Sequence, residues 1–276
     1  MTATAGLVFK PQHFEAAVAA TVDGLWFEVH PENYMVQGGP RLAMLEALRT
    51  THPLSLHGVG LSLVSEARPD QAHLRRLKDL VDRFEPFVVS EHLAWSVWAD
   101  VYHGDLLPFS RSRSALDAVA CNIDITQECL GRTILVENPS LYIALPGHDF
   151  EEVEFLSELV RRSGCGLLAD INNVYISASN LHFDPAAYLD ALPATAIAEI
   201  HIAGHAPDPE LGTKLLIDTH GTAVAEPVWD LLDHLLRRIG PRPVLVERDE
   251  NIPEFASLMV ERDRAAFALA AVQPGA

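Results

Sequence analysis

Short runs rich in Val, Ile and Leu recur along this chain and alternate with longer amphipathic stretches, which restricts the fold to a parallel sheet covered by helices. The runs span residues 24–30, 53–59, 87–93, 133–139, 166–172, 197–203, 214–220 and 243–249. They are apolar almost throughout rather than alternating, as expected of strands buried on both faces. Eight such strands close into a barrel. An open doubly wound sheet, the competing arrangement, usually carries a Gly-rich phosphate turn after its first strand, and none stands here. The fold class expected is α/β, a (β/α)8 TIM barrel, with residues 1–276 as a single metalloenzyme domain.

Helices fill the intervals. Residues 40–50 carry leucines at helical spacing, and 70–84 carry the Leu74, Leu77, Leu80, Val81 stripe. The spacing predicts helices over 113–130 and 151–162, stopped by Gly131 and Gly164. Asp184-Pro185 opens a short one with a cap residue and a proline, another runs from Glu226-Pro227 to Gly240, and Pro253 starts the last. From Ala265 the tail is expected to be helical and then frayed.

Composition removes several functions. Asp and Glu number 38 against 20 Lys and Arg, a net charge of −18 that repels phosphate backbones, so no nucleic-acid partner is expected. The cysteines Cys121, Cys129 and Cys165 are odd in number and lack C-x-x-C spacing, which argues against a disulfide framework and a thiolate zinc site. No apolar run is long enough to cross a bilayer, and the first residues lack a basic region followed by an apolar stretch. The expected location is the cytoplasm, with no membrane partner.

The polar residues sit where barrel active sites are built, at the carboxyl ends of the strands. The second run ends in His57, the third in Glu91-His92, the fourth in Glu137-Asn138 and the fifth in Asp170, followed by Asn172 and Asn173. The sixth ends in His201, the seventh in Asp218-x-His220 and the eighth in Glu247. Any one of these taken alone is more often a helix cap or a hydrogen-bonded core group. Four histidines and four carboxylates converging on one mouth need compensation that divalent metals supply. Imidazole with carboxylate and no thiolate suits iron, manganese or zinc, with open positions for chemistry.

With those residues in place, nearly the whole chain resembles the multinuclear non-heme iron-dependent oxidases, a family formerly known only as a domain of unknown function. That family includes the peptide-modifying enzymes of methanobactin and bufferin biosynthesis. The stretches that carry the resemblance cover residues 9–14, 27–34, 55–60, 90–93, 136–140, 170–173, 199–205, 217–220 and 247–250. Val8 departs from the pattern, where a glycine is expected. A second resemblance, in ligand order alone, is to trinuclear zinc barrels that cut DNA at abasic sites. It implies that His57, His92 and Glu137 hold one ion. Glu137 then bridges to a second ion held by Asp170, His201 and Glu247, and Asn173, Asp218 and His220 hold a third. Asn173 replaces a histidine of that pattern, which implies a looser third site.

The oxidase resemblance implies two or three irons in mixed Fe2+/Fe3+ valence, with dioxygen as co-substrate. It also implies a ribosomally made precursor peptide as substrate, whose cysteine loses hydrogen from its β-carbon and is then rearranged, cyclised or cleaved. Thiooxazole or oxazolone–thioamide products belong to this chemistry, as does a leader-peptide-binding partner protein. The implied catalytic set is His57, His92, Glu137, Asp170, His201 and Glu247. Glu28, His30, Asn33 and His205 are candidates for lining the substrate pocket, and Asn138 and Asn172 for orienting ligands. Trp95, Trp98 and Tyr102 are expected in a loop forming a lid or partner surface, with Asp105 and Arg248 as candidate substrate contacts. A zinc or manganese hydrolase or sugar isomerase on the same barrel is the alternative; an isomerase usually places a lysine at the mouth, and no strand end in this reading offers one.

Overall fold

Short buried strands paired in parallel, each followed by a helix, build the architecture of the computed structural model, which describes residues 3–98 and 101–272. In chain order the first elements are β1 (Ala5–Val8), α1 (Phe14–Ala19), β2 (Phe27–Val29), α2 (Pro40–Thr51), β3 (Leu54–Gly58), α3 (Gln71–Phe84) and β4 (Val88–His92). There follow β5 (Trp95–Trp98), β6 (Val101–Leu107), α4 (Arg113–Leu130), β7 (Leu135–Glu137), α5 (Glu152–Ser163), β8 (Gly166–Asp170), α6 (Ile171–Leu181) and α7 (Pro185–Ala191). The chain continues through β9 (Ile197–Ala203), β10 (Ala206–Asp208), β11 (Gly212–Ile217), α8 (Glu226–Ile239), β12 (Val244–Glu247) and α9 (Phe255–Ala271). Eight strands close into a barrel in the order β1-β12-β9-β8-β7-β4-β3-β2, with β5-β6 and β10-β11 as separate two-stranded sheets.

The barrel is therefore the expected one, but one of its strands is not. The run 214–220 is no barrel strand: β11 pairs antiparallel with β10, Ala206 opposite Ile217. Its Leu215, Leu216 and Ile217 are as apolar as a barrel strand, yet a tight turn supplies a nearer partner. Asp208 Oδ1 accepts from Glu210 N and Leu211 N, and the chain reverses there. The missing barrel strand is β1, only four residues long, which pairs with β12 and with β2. Its Gly6 lies so close to Trp26 that a Cβ would meet the indole ring at 2.4 Å.

Helix boundaries follow local chemistry. Asp70 caps α3 by accepting from Ala72 N and His73 N, and Asp184 caps α7 in the same way. Gly131 and Gly164 end α4 and α5 in the left-handed conformation, at φ 69° and 66°. The last helix begins at Phe255, two residues after Pro253. Helix α6 departs from the expected pattern; it starts directly after β8 and takes in Asn172 and Asn173. The expected loop of aromatics at 95–107 is instead the β5-β6 hairpin. The Trp98 side chain and the end of the C-terminal tail lie outside the described residues.

Packing divides the chain into two compact units, one of residues 1–28, 140–144 and 168–276, the other of residues 29–139 and 145–167. The first is built on Trp26, Phe27, Ile200, Ile202, Leu232, Leu235, Leu236, Leu245 and Leu269, all fully buried or nearly so. Arg262, buried in α9, donates to the carbonyls of Ala5 and Asp23 and so fastens β1. In the second unit the expected α3 stripe is buried, with Leu45, Leu48, Leu56, Leu116, Ile123, Phe155 and Leu159. Among the described residues the three cysteines are free, and no helix is long and apolar enough to cross a membrane.

Candidate functional site

Within the unit of residues 29–139, strand pairing sets His57 beside Ser90 and His92 beside Glu137. His57 Nδ1 lies 2.8 Å from Ser90 Oγ, and His92 Nδ1 donates to the Gly58 carbonyl at 2.9 Å. A carbonyl only accepts, so His92 donates from Nδ1; the Ser90 hydroxyl, which also reaches Leu56 O at 3.5 Å, holds His57 Nδ1 as either donor or acceptor. Both Nε2 atoms then point the same way. They stand 3.3 Å apart, and each faces Glu137 Oε2, at 3.3 Å from His57 and 3.2 Å from His92. Two imidazole nitrogens and a carboxylate oxygen at such separations need a proton or a metal cation among them, and the donor set suits iron, manganese or zinc.

His30 supports the same place by donating from Nδ1 to the His57 carbonyl at 3.0 Å. Asn138 is buried just after Glu137, whereas the Asn33 side chain is exposed. Glu91 lies on the opposite side of its strand from His92, so it is not part of this group. Its Oε2 is buried without a hydrogen-bond partner, against Gly58, where a Cβ would approach within 2.1 Å. Burial, and then the charge of Glu32, push the Glu91 carboxyl well above its usual range.

The unit of residues 1–28, 140–144 and 168–276 holds the second concentration. Alternation along β9 aims Glu199 and His201 to one face, and both are fully buried. Ligand atoms of Glu28, Glu199 and His201 lie within 4.8 Å of one another, as do those of Asp170, His220 and Glu247. His201 links the two sets, with Nε2 3.5 Å from Glu28 Oε1 and Nδ1 3.4 Å from Glu247 Oε2. Burial opposes the charged imidazole, but Glu247 and Glu28 outweigh it and hold His201 well above the usual histidine range. The same contest raises His220 through Glu247 and Asp218. Glu247 is pulled down to about 2 by the two imidazoles despite its burial.

Asp170 is also the cap of α6, its Oδ1 accepting from Asn173 N at 2.6 Å. The helix start thus fixes one oxygen and leaves the other side of the carboxylate to the cluster, with Asn173 buried in the first turn. Asp218 and His220 follow the β10-β11 hairpin rather than a barrel strand. His220 Nε2 is 2.8 Å from Asp218 Oδ1, which also accepts from Asn172 Nδ2 at 2.7 Å. Asn172 Oδ1 in turn accepts from His205 Nδ1 at 2.9 Å, so Asn172 and His205 are joined in one chain of hydrogen bonds.

Other candidates turn elsewhere. Arg248 points at α9 and pairs with Glu261 at 2.9 Å, and Asp105 accepts from the adjacent Leu106 N. Trp95 Nε1 donates to the Pro108 carbonyl, while Tyr102 is exposed on the hairpin. Three residues beside the clusters escape the sequence reading. Glu199 stands two positions before His201, and period-two alternation is the signal that finds it. Asp249 accepts from His220 Nδ1 at 2.7 Å and also pairs with Lys10, two residues past β1. A lysine therefore does follow a strand end, but a carboxylate holds it.

Residues 4–270 match the sequence profile of the family described as RiPP precursor modification enzyme MbnB/TglH/ChrH. A UPF0276 protein of Caulobacter vibrioides is 61% identical over 273 residues, covering 99% of this chain and 97% of the relative. A UPF0276 protein of Bordetella bronchiseptica is 48% identical over 98% of this chain and 94% of its own. Among solved structures, endonuclease IV from Thermus thermophilus superposes with a TM-score of 0.60 at 18% identity, covering 97% of this chain and 99% of that one. The IOLI protein with a bound zinc atom gives 0.62 at 13%, over 98% and 99%. These likenesses concern the barrel fold.

Proposed function

The chain belongs to the MbnB/TglH/ChrH family of RiPP precursor modification enzymes, and from that premise we propose that it is an iron-dependent oxidase acting on a cysteine of a ribosomally made peptide. The observation that carries the metal reading is the convergence of His57 Nε2, His92 Nε2 and Glu137 Oε2. His57, His92 and Glu137 would hold one ion, and Asp170, His201 and Glu247 a second, with Asn173, Asp218 and His220 available for a third. Iron bound there supplies one-electron chemistry and a place for dioxygen. The protein's share of the work is to hold His57 and His92 by Nδ1, so that both Nε2 atoms are available, and to hold the carboxylates in a dry environment.

A zinc or manganese hydrolase is the second reading, favoured by the fold shared with endonuclease IV and the zinc-bearing IOLI protein. Against a nuclease stands the charge of −18. The deciding experiment is co-expression with small cysteine-bearing peptides, with and without a candidate leader-binding partner, read by intact mass. The oxidase reading predicts a mass change at cysteine that requires iron and air. Hydrolysis of a phosphoester or isomerisation of a sugar by zinc-loaded protein, with peptides untouched, overturns it.

A further inference from the structure

We propose that Lys10 and Asp249 are a positioning pair for His220, fixing the imidazole so that its Nε2 faces an ion shared with Asp218. The inference rests on the metal reading above and adds two residues to it. Asp249 makes three contacts, and its neighbour Glu250 adds a fourth. Asp249 Oδ2 takes the His220 Nδ1 proton at 2.7 Å, its Oδ1 takes Lys10 Nζ, its backbone N donates to the His220 carbonyl at 3.0 Å, and the next residue's N reaches the same carbonyl at 3.4 Å.

The backbone explains why so many contacts gather on one residue. His220 adopts the left-handed conformation, φ 48°, which a side chain other than glycine rarely takes. Asn251 Nδ2 reaches the Gly221 carbonyl at 3.4 Å, so the turn after β12 grips the His220 loop over two successive residues. Two amide donors on the His220 carbonyl hold the unfavourable backbone, and the carboxylate holds the ring.

With Nδ1 engaged by Asp249, His220 turns Nε2 toward Asp218 Oδ1 at 2.8 Å, and an ion taking the place of the Nε2 proton would find a nitrogen and a carboxylate oxygen side by side. Carboxylate–histidine–metal arrangements of this kind fix the tautomer and raise ligand basicity. Lys10 gives the arrangement its anchor, because it orients the Asp249 carboxylate from a segment more than two hundred residues away in sequence.

The test is anaerobic titration of metal-stripped protein with ferrous iron, comparing the unaltered chain with Asp249→Ala, Asp249→Asn and Lys10→Met. Readouts are irons bound per chain, Mössbauer spectra of iron-57-loaded samples, and melting curves of the metal-free forms. We expect Asp249→Ala to weaken one binding step by about 10- to 100-fold and to remove one spectral component, leaving the others unchanged. Asn keeps an acceptor for Nδ1–H, so Asp249→Asn should recover part of that step, and Lys10→Met should lie between Asn and the unaltered chain. Equal iron binding and equal spectra for all four proteins would overturn the proposal. So would loss of every site in step with a collapsed melting curve in both Asp249→Asn and Lys10→Met, which would make the pair structural. If the unaltered chain takes up no iron or other divalent metal, the metal reading itself falls and this inference with it.

Discussion

His57 Nε2 and His92 Nε2 stand 3.3 Å apart, with each Nδ1 held by a hydrogen bond and a carboxylate oxygen of Glu137 facing both. Two imidazole nitrogens beside a carboxylate are the donor types that the proposed metal site requires. His57→Ala and His92→Ala should each remove about one metal ion per chain, and the double variant should lose no more than either single one, because a half-built site binds weakly. Mass-spectrometric metal content on folded protein, with circular dichroism as the check on folding, measures this. Additive losses of two ions would separate the two imidazoles.

Metal uptake should release protons. In the metal-free protein the neighbouring carboxylates hold His201 and His220 well above the usual histidine range, against burial. Those raised values stabilise the metal-free fold fully below the unfolded histidine pKa, and the contribution disappears as pH rises through the folded values. The melting temperature of stripped protein should therefore fall as pH is raised above the ordinary histidine range, while metal affinity rises over the same interval as the imidazoles become free to bind. Melting curves and buffer-dependent calorimetry read the two trends. Flat responses in both would contradict the coupling.

Glu32 makes a separate, testable contribution. Its Oε1 accepts from Val59 N at 3.1 Å and Gly60 N at 2.9 Å, and lies 3.4 Å from His73 Nε2. Burial pushes its pKa up, but these hydrogen bonds outweigh it and leave the carboxyl below its ordinary 4.5. A depressed carboxylate stabilises the fold above the unfolded pKa and loses that effect as pH falls through the folded one. Glu32→Gln should cost ~1–2 kcal/mol at pH 7 and progressively less below about pH 4.5, by urea unfolding. An undiminished difference at acid pH would show that the charge plays no part.

Gly204 tests how closely two loops approach. It follows β9 between His201 and His205, and a Cβ there would fall 2.1 Å from the Thr222 carbonyl oxygen. Backbone cannot swing aside as a side chain can, so Gly204→Ala should destabilise by ~1–3 kcal/mol. It should also loosen the Asp218–His220 segment, seen as faster hydrogen exchange there. An unchanged melting temperature would mean that the loops have room to move.

Much of this is legible in the sequence because strand ends in a barrel lie where residue type can be read directly. His57, His92 and Glu137 each stand near the end of a short, mostly apolar run, and parallel pairing does the rest. The barrel's first strand escapes because Ala5-Gly6-Leu7-Val8 is too short to show a period. Residues 214–217 pass for a barrel strand because hairpin and barrel strands share composition; only the turn at Asp208 distinguishes them. Asp170 serves as both helix cap and cluster member, so its two roles do not compete. Lys10 and Asp249 are hidden for another reason: their meeting is set by the closure of the β1-β12 pair, which no local pattern reveals.

The most direct test is metal content by mass spectrometry on protein purified without added metal, paired with Mössbauer spectra of iron-57-labelled material. The account predicts two to three irons per chain with a mixed-valence component. Stoichiometric zinc with no iron, persisting after anaerobic iron reconstitution, would contradict it and put the hydrolase first.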